Sequence, residues 1–251
     1  MNFRICPKCG HRPPQPIGAT EACPACGVYM HKCLQMQQRA AHPPIDATPD
    51  ATSFDWRARL TTLPSANDEV ELAVRALVLI ALALWGLHLA SRDLASGEAM
   101  QSFMHAILLP IHEAGHIFTI PLGEFMTILG GSLFQVALPF GIGVAFLLKN
   151  RDPFGAALCL WWCGASLIDL APYIYDALAP QLMLLGGHTG EDGPHDWIYL
   201  LERLGGLRRA HGWGRFTQRL GIAISSLAVV WAAWVLYRAY RRREHSIISD
   251  E

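Results

Sequence analysis

The sequence predicts an all-α polytopic membrane protein of about four to five hydrophobic segments, one of them re-entrant, with a small metal-binding head at its N-terminus. Three observations carry this. Apolar residues make up 52% of the 251, and Asp, Glu, Lys and Arg together only 16%, well under the roughly 25% charge of an average soluble domain. The charge is unevenly placed: residues 1–70 carry 13 charged side chains, whereas 114–148 carry only Glu124. Four of the seven cysteines stand in two close pairs before residue 27. Acidic and basic totals nearly cancel, 21 against 20, so no global field draws in nucleic acid. A disordered chain and a small disulfide-rich secreted domain are excluded by the same composition. The first apolar run starts near residue 70, too late for a cleavable signal peptide of roughly 15–30 N-terminal residues.

The head, residues 1–36, contains Cys6-Pro-Lys-Cys9-Gly and Cys23-Pro-Ala-Cys26-Gly, separated by 13 residues. A two-residue spacer lets each turn present two sulfurs, and four thiolates converging on one point suit tetrahedral zinc. The glycines that follow, Gly10 and Gly27, can take the positive φ of such turns. The group resembles a zinc ribbon, which folds only with its metal because so short a chain cannot bury a sufficient core. Cys33 is a spare thiol. Four zinc-bound thiolates indicate a reducing compartment and a cytosolic N-terminus. Lys8, Arg12 and Lys32 are too sparse for phosphate contacts, so the head is expected to contact a protein partner or to regulate. Residues 37–69 read as a linker, because Pro43, Pro44, Pro49 and Pro64 interrupt any helix. Trp56 is placed at the membrane surface.

The domain 70–241 contains five apolar stretches of about 20 residues: 72–90, 100–120, 125–148, 154–178 and 220–237. Arg238 and Arg241-Arg242-Arg243 follow the last, with a polar tail at 242–251. The thiolate head and the arginines put both termini in the cytosol of a bacterial cytoplasmic membrane. That requires an even number of crossings. The stretch 125–148, with Gly130-Gly131, Pro139, Gly141 and Gly143, is therefore expected to be re-entrant. A polar loop spans roughly 186–219.

The second stretch holds His112-Glu113-Ala114-Gly115-His116. Positions i and i+4 share a helix face, so both imidazoles can bind one zinc while Glu113 reaches its water as general base. Two histidines and a glutamate within an apolar helix are costly and point to function. A catalytic zinc needs a third ligand. Asp169 and Asp176, seven residues apart in the fourth stretch, are candidates, and so are His195 or Asp196 in the polar loop. His88 and His105 are expected to be interior residues bonded to neighbours, and Cys159, Cys163 and Trp161-Trp162 to be packing.

These motifs resemble the site-2 protease type of intramembrane zinc metalloprotease, over about residues 100–180. His112, Glu113 and His116 match its HExxH. Asp169-Leu-Ala-Pro172 resembles its Asn-x-x-Pro with Asp for Asn, and Tyr175-Asp176-Ala177 resembles its Leu-Asp-Gly with Ala for Gly, at a spacing one residue short. The resemblance implies a catalytic zinc beside the structural one, Asp176 as third ligand, Asp169 as polar helper and Glu113 as catalytic base. It also implies that Gly130-Gly131 forms a strand or loop holding substrate extended, the substrate being a membrane protein or peptide cleaved within or near the bilayer. A non-proteolytic scaffold that keeps the metal site is the rival reading. Glu113 argues against it, since a scaffold needs the histidines but not the base. A transporter would also use intramembrane ionisable groups, but the chain has no recognisable internal repeat.

Overall fold

The computed structural model describes residues 2–18, 20–32, 55–63 and 68–249. Cys33 and the prolines at 43, 44, 49 and 64 lie outside the described residues. The chain divides into two compact units, Met1–Phe54 and Asp55–Glu251.

In the first unit, β1 (Asn2–Phe3) pairs antiparallel with β2 (Ile17–Gly18). Each cysteine pair closes a tight turn. Gly10 N–H donates to the Cys6 carbonyl at 2.9 Å and Gly27 N–H to the Cys23 carbonyl at 2.8 Å. These glycines have φ of 73° and 69°, left-handed values that side chains rarely adopt. The buried core consists of Cys6, Ile17, Cys23 and Met30, so half of it is cysteine.

The second unit is helical: α1 (Trp56–Thr61), α2 (Glu69–Ala90), α3 (Phe103–Thr119), α4 (Glu124–Ala145), α5 (Pro153–Asp176), α6 (Asp196–Arg203) and α7 (Ala210–Ser249). Its starts follow from caps. Asp68, Ser102 and Asp152 each accept from a backbone N–H of the following first turn, and Pro153 fills the first position of α5, where no N–H is needed. Four helical stretches, Glu69–Ala90, Glu124–Asn150, Pro153–Asp176 and Leu207–His245, are long and apolar enough to cross a membrane. The HExxH helix α3 is not among them. Its 17 residues span only about 25 Å.

The re-entrant expectation is corrected here. Residues 125–145 lie in the continuous helix α4, and 146–148 in the π turn Phe146–Asn150 that continues it. Gly130, Gly131, Pro139 and Gly143 are buried along it. These residues serve close approach of neighbours rather than irregular backbone.

Helix α5 is the centre of the unit. Eighteen of its 24 residues are buried, as expected of a helix that is apolar all round. Small residues seat α7 on it: a Cβ on Gly164 would lie 2.2 Å from Ser225 Oγ and 2.6 Å from the Gly221 carbonyl oxygen. Such seams let helix backbones pack closely without a hydrophobic drive between them. Gly164→Leu is expected to lower thermal stability in detergent by at least the roughly 1–3 kcal/mol typical of overpacking. An unchanged unfolding midpoint would show that α7 does not sit on this seam.

Candidate metal centres

The same close packing builds the site between α3 and α4. A Cβ on Gly115 would lie 2.2 Å from the Gly130 carbonyl oxygen, so only glycine allows this backbone contact. The approach brings Gly131 under the two imidazoles, where a Cβ would sit 2.5 Å from both Nε2 atoms. His112 and His116, one turn apart, present their rings edge to face with centroids 4.9 Å apart. The ligating atoms of His112, Glu113 and His116 all lie within 4.8 Å of one another.

Each ring is oriented through Nδ1. His116 Nδ1 lies 2.8 Å from the Thr127 carbonyl oxygen, and His112 Nδ1 lies 3.0 Å from Gln135 Oε1. The Gln135 amide is itself fixed, because its Nε2 donates to the Ser166 carbonyl at 3.1 Å and to Asp169 Oδ2 at 3.2 Å. Both Nδ1 atoms thus face acceptors and carry protons, which leaves both Nε2 lone pairs directed at a common point.

Asp196 occupies that convergence. Its Oδ2 is 3.1 Å from His112 Nε2 and 3.3 Å from His116 Nε2. Two N or O ligands about 2.0–2.1 Å from a tetrahedral ion lie about 3.3 Å apart, so the three side chains have the edge lengths of a metal site. Two imidazoles and a carboxylate so placed are held either by a proton on Nε2 or by a cation between them, and the spacing suits the cation. The donor set therefore fits a metal ion.

The structure separates the other acidic candidates from the imidazoles. Asp169 and Asp176 share a helical face, but the rise of about 10 Å between them carries Asp176 past the histidines. Asp176 Oδ1 instead accepts from Gln181 N at 2.8 Å and Leu182 N at 3.1 Å, and its Oδ2 lies 3.4 Å from His195 Nε2. It ties down both ends of the loop that precedes α6. Asp169 contacts His105 Nδ1 at 3.0 Å and the Gln135 amide, one step behind His112. His195 is fully buried, caps Ile198 N at 3.3 Å and stacks on Tyr173. Tyr173 Oη accepts from Asp196 N at 2.9 Å, which sets the position of Asp196. Asp196, the first residue of α6, is thus the carboxylate in contact with both imidazoles, whereas the contacts of Asp176, Asp169 and His195 run to Gln181, Leu182, His105, Gln135 and Tyr173. Gly130-Gly131 is helical and offers no strand for substrate.

An open cleft of about 330 Å³ leads to the three side chains, with Glu113 and the apolar segment Met183-Leu184-Leu185 in its lining. Sequence reasoning missed Gln135 and Tyr173. Gln135 had a readable signal: it is the one side-chain amide in the stretch 125–148.

The cysteine head forms a second donor set. Cys6 and Cys26 sulfurs are 3.8 Å apart, as are those of Cys9 and Cys23. A disulfide would be about 2.05 Å, whereas thiolates about 2.3 Å from a tetrahedral ion lie about 3.8 Å apart. All four ligand atoms fall within 4.8 Å of one another. Backbone N–H groups of Cys9 and Lys8 hold the Cys6 thiol down at about 6 against its burial. Cys9, lowered by the His11 backbone but raised by the Cys26 sulfur, burial and the Cys6 sulfur, is pushed up to about 12, so the sulfurs share their protons as one set. No protein-family model, no curated protein and no solved structure matches the chain.

Proposed function

We propose that the protein is a membrane-embedded zinc metalloendopeptidase, with His112, His116 and Asp196 as ligands, Glu113 as general base, and the four-cysteine head as a zinc ribbon for docking or regulation. The observation that carries the reading is the convergence of Asp196 Oδ2 on both imidazole Nε2 atoms, beside Glu113 in an open cleft. Three protein ligands and an accessible side are the pattern of catalytic rather than structural zinc, whereas four cysteine sulfurs around one point are the closed, structural pattern, here with Cys6 and Cys23 buried, Cys26 half-buried and Cys9 exposed.

When bound, zinc supplies Lewis-acid polarisation of a peptide carbonyl and makes water acidic enough to yield hydroxide near pH 7. Glu113 accepts the proton that water gives up and delivers it to the leaving amine. Thr127 and Gln135 hold the two imidazoles in the tautomer that leaves Nε2 free. Tyr173 and Asp176 hold the loop that carries Asp196. The substrate must enter extended, because helical carbonyls are hydrogen-bonded along the chain and shielded by side chains.

Two outcomes test this. Membrane proteins that wild-type cells cleave should accumulate uncleaved when Glu113→Gln replaces the native chain; an unchanged membrane proteome alongside a phenotype for loss of the whole chain would favour the scaffold reading. Gln135→Leu removes the acceptor on His112 Nδ1, and loss of such an outer partner is expected to weaken zinc binding by about 10–100-fold. Competition with a chelator measures it, and undiminished affinity would remove Gln135 from the site.

A further inference from the structure

The face of the membrane on which the cleft opens follows from the register of the helices. One end of the helical unit gathers α1, the start of α2, the end of α4, the start of α5 and the end of α7. Trp231 Nε1 donates to the Leu60 carbonyl at 2.9 Å, Arg242 to Thr62 Oγ1 at 3.2 Å, and Arg243 pairs with Glu69. Arg75 pairs with Asp152 at 3.1 Å, and Arg59 donates to the Leu147 carbonyl at 2.8 Å.

Along each helix from that end, polar groups return after about 25–30 Å. Arg75 to Arg92 on α2 and just beyond it, and Asp152 to Asp169 on α5, are each about 25 Å. Arg238 back to Gln218 on α7 is about 30 Å, and Gln218 Nε2 donates to the Arg92 carbonyl at 3.4 Å. The hydrocarbon core of a membrane is about 30 Å thick. The metal centre lies toward this far rim, between about 21 and 33 Å from the near end. His112 meets α4 at Gln135, about 21 Å from Lys149, and His116 meets it at Thr127, about 33 Å from Lys149. Asp196 hangs on Tyr173, about 31 Å from Asp152.

Helix α3 packs along the far part of these helices. It starts beside Trp85, whose ring stacks on Phe103 with centroids 6.1 Å apart, and ends where Thr119 meets Thr127. Exposed Ile117, Phe118, Ile120 and Leu122 give that end an apolar lip suited to the interfacial layer rather than to open water.

We infer that the cleft opens on the membrane face opposite α1 and the C-terminal arginines, and that its substrate is an extended polypeptide segment at that membrane–water boundary, not one at the bilayer midplane. This rests on the proteolytic reading for the substrate and on the four crossing helices for the face. The two are tested separately in the full-length protein. Glu191→Cys, in the loop beside the cleft, and Glu244→Cys, at the other end, are treated with a membrane-impermeant maleimide in right-side-out and inverted vesicles. Labelling is read peptide by peptide, so that native cysteines do not interfere. Each site is expected to react in one vesicle orientation only, and the two in opposite orientations; reaction of both from the same face overturns the inference. Newly formed N-termini of membrane proteins, compared between wild-type and Glu113→Gln cells, should fall within about two helical turns of the boundary on the Glu191 side. Cleavage at span centres or on the Glu244 side overturns the substrate assignment. Absence of any Glu113-dependent terminus overturns it together with the proteolytic reading, while the labelling still decides the face.

Discussion

Glu113→Gln is expected to lose turnover by about 10²–10⁴-fold or more while both zinc ions stay bound. The substitution keeps the length and the hydrogen-bonding shape of the side chain but removes its ability to take a proton. Glu113 is the next residue after His112 and sits half-buried in the cleft wall, while the orienting contacts of the two imidazoles run to Gln135 and Thr127. Its loss therefore leaves the imidazoles in place. The measurement pairs a zinc count with the cleavage rate of a membrane protein that accumulates in the variant cells. Full activity with full zinc would remove Glu113 from the chemistry. Lost zinc would instead make it a ligand.

Cys23→Ser is expected to unfold the head and release one zinc ion, leaving the helical unit with its own. Among the described residues, half of the buried core of the head is cysteine, beside Ile17 and Met30, with Phe3, Cys26 and Val28 partly buried against them. Structural zinc in such small domains contributes about 10–16 kcal/mol of binding free energy that is also folding free energy. A core of four side chains cannot replace it. Limited proteolysis reads the result: the head of the variant should be cut rapidly while residues from Asp55 onward resist. A head that stays resistant without its metal would mean that the ribbon is held by contacts other than zinc.

The parts of this protein that were legible in the sequence are those governed by local spacing. Cys-x-x-Cys fixes two sulfurs on one turn, and His112 and His116 share a face because a helix turns once in 3.6 residues. What was not legible depends on long-range packing. The glycines of 125–148 signal close approach, and the sequence cannot tell whether a neighbouring helix or a substrate makes it. The structure shows α3 against Gly130 and Gly131 and α5 against Gly143, with open space at Gly141. The resemblance of Tyr175-Asp176-Ala177 to Leu-Asp-Gly is what makes Asp176 the expected ligand. Its partners are the backbone of Gln181 and Leu182 and the ring of His195, contacts made by a loop whose path the sequence does not reveal. Asp196 lies 80 positions beyond His116, in a polar loop where an aspartate ordinarily needs no explanation.

Zinc content of the purified full-length chain, compared between Asp196→Asn and Asp176→Asn, tests the metal centre most directly. Both substitutions remove one negative charge and keep nearly the same shape, and Asp176→Asn retains an acceptor for the Gln181 and Leu182 N–H groups. The wild type is expected to hold two zinc ions per chain, Asp176→Asn two, and Asp196→Asn one. Two zinc ions in Asp196→Asn with one in Asp176→Asn would contradict the assignment and return the third ligand to α5.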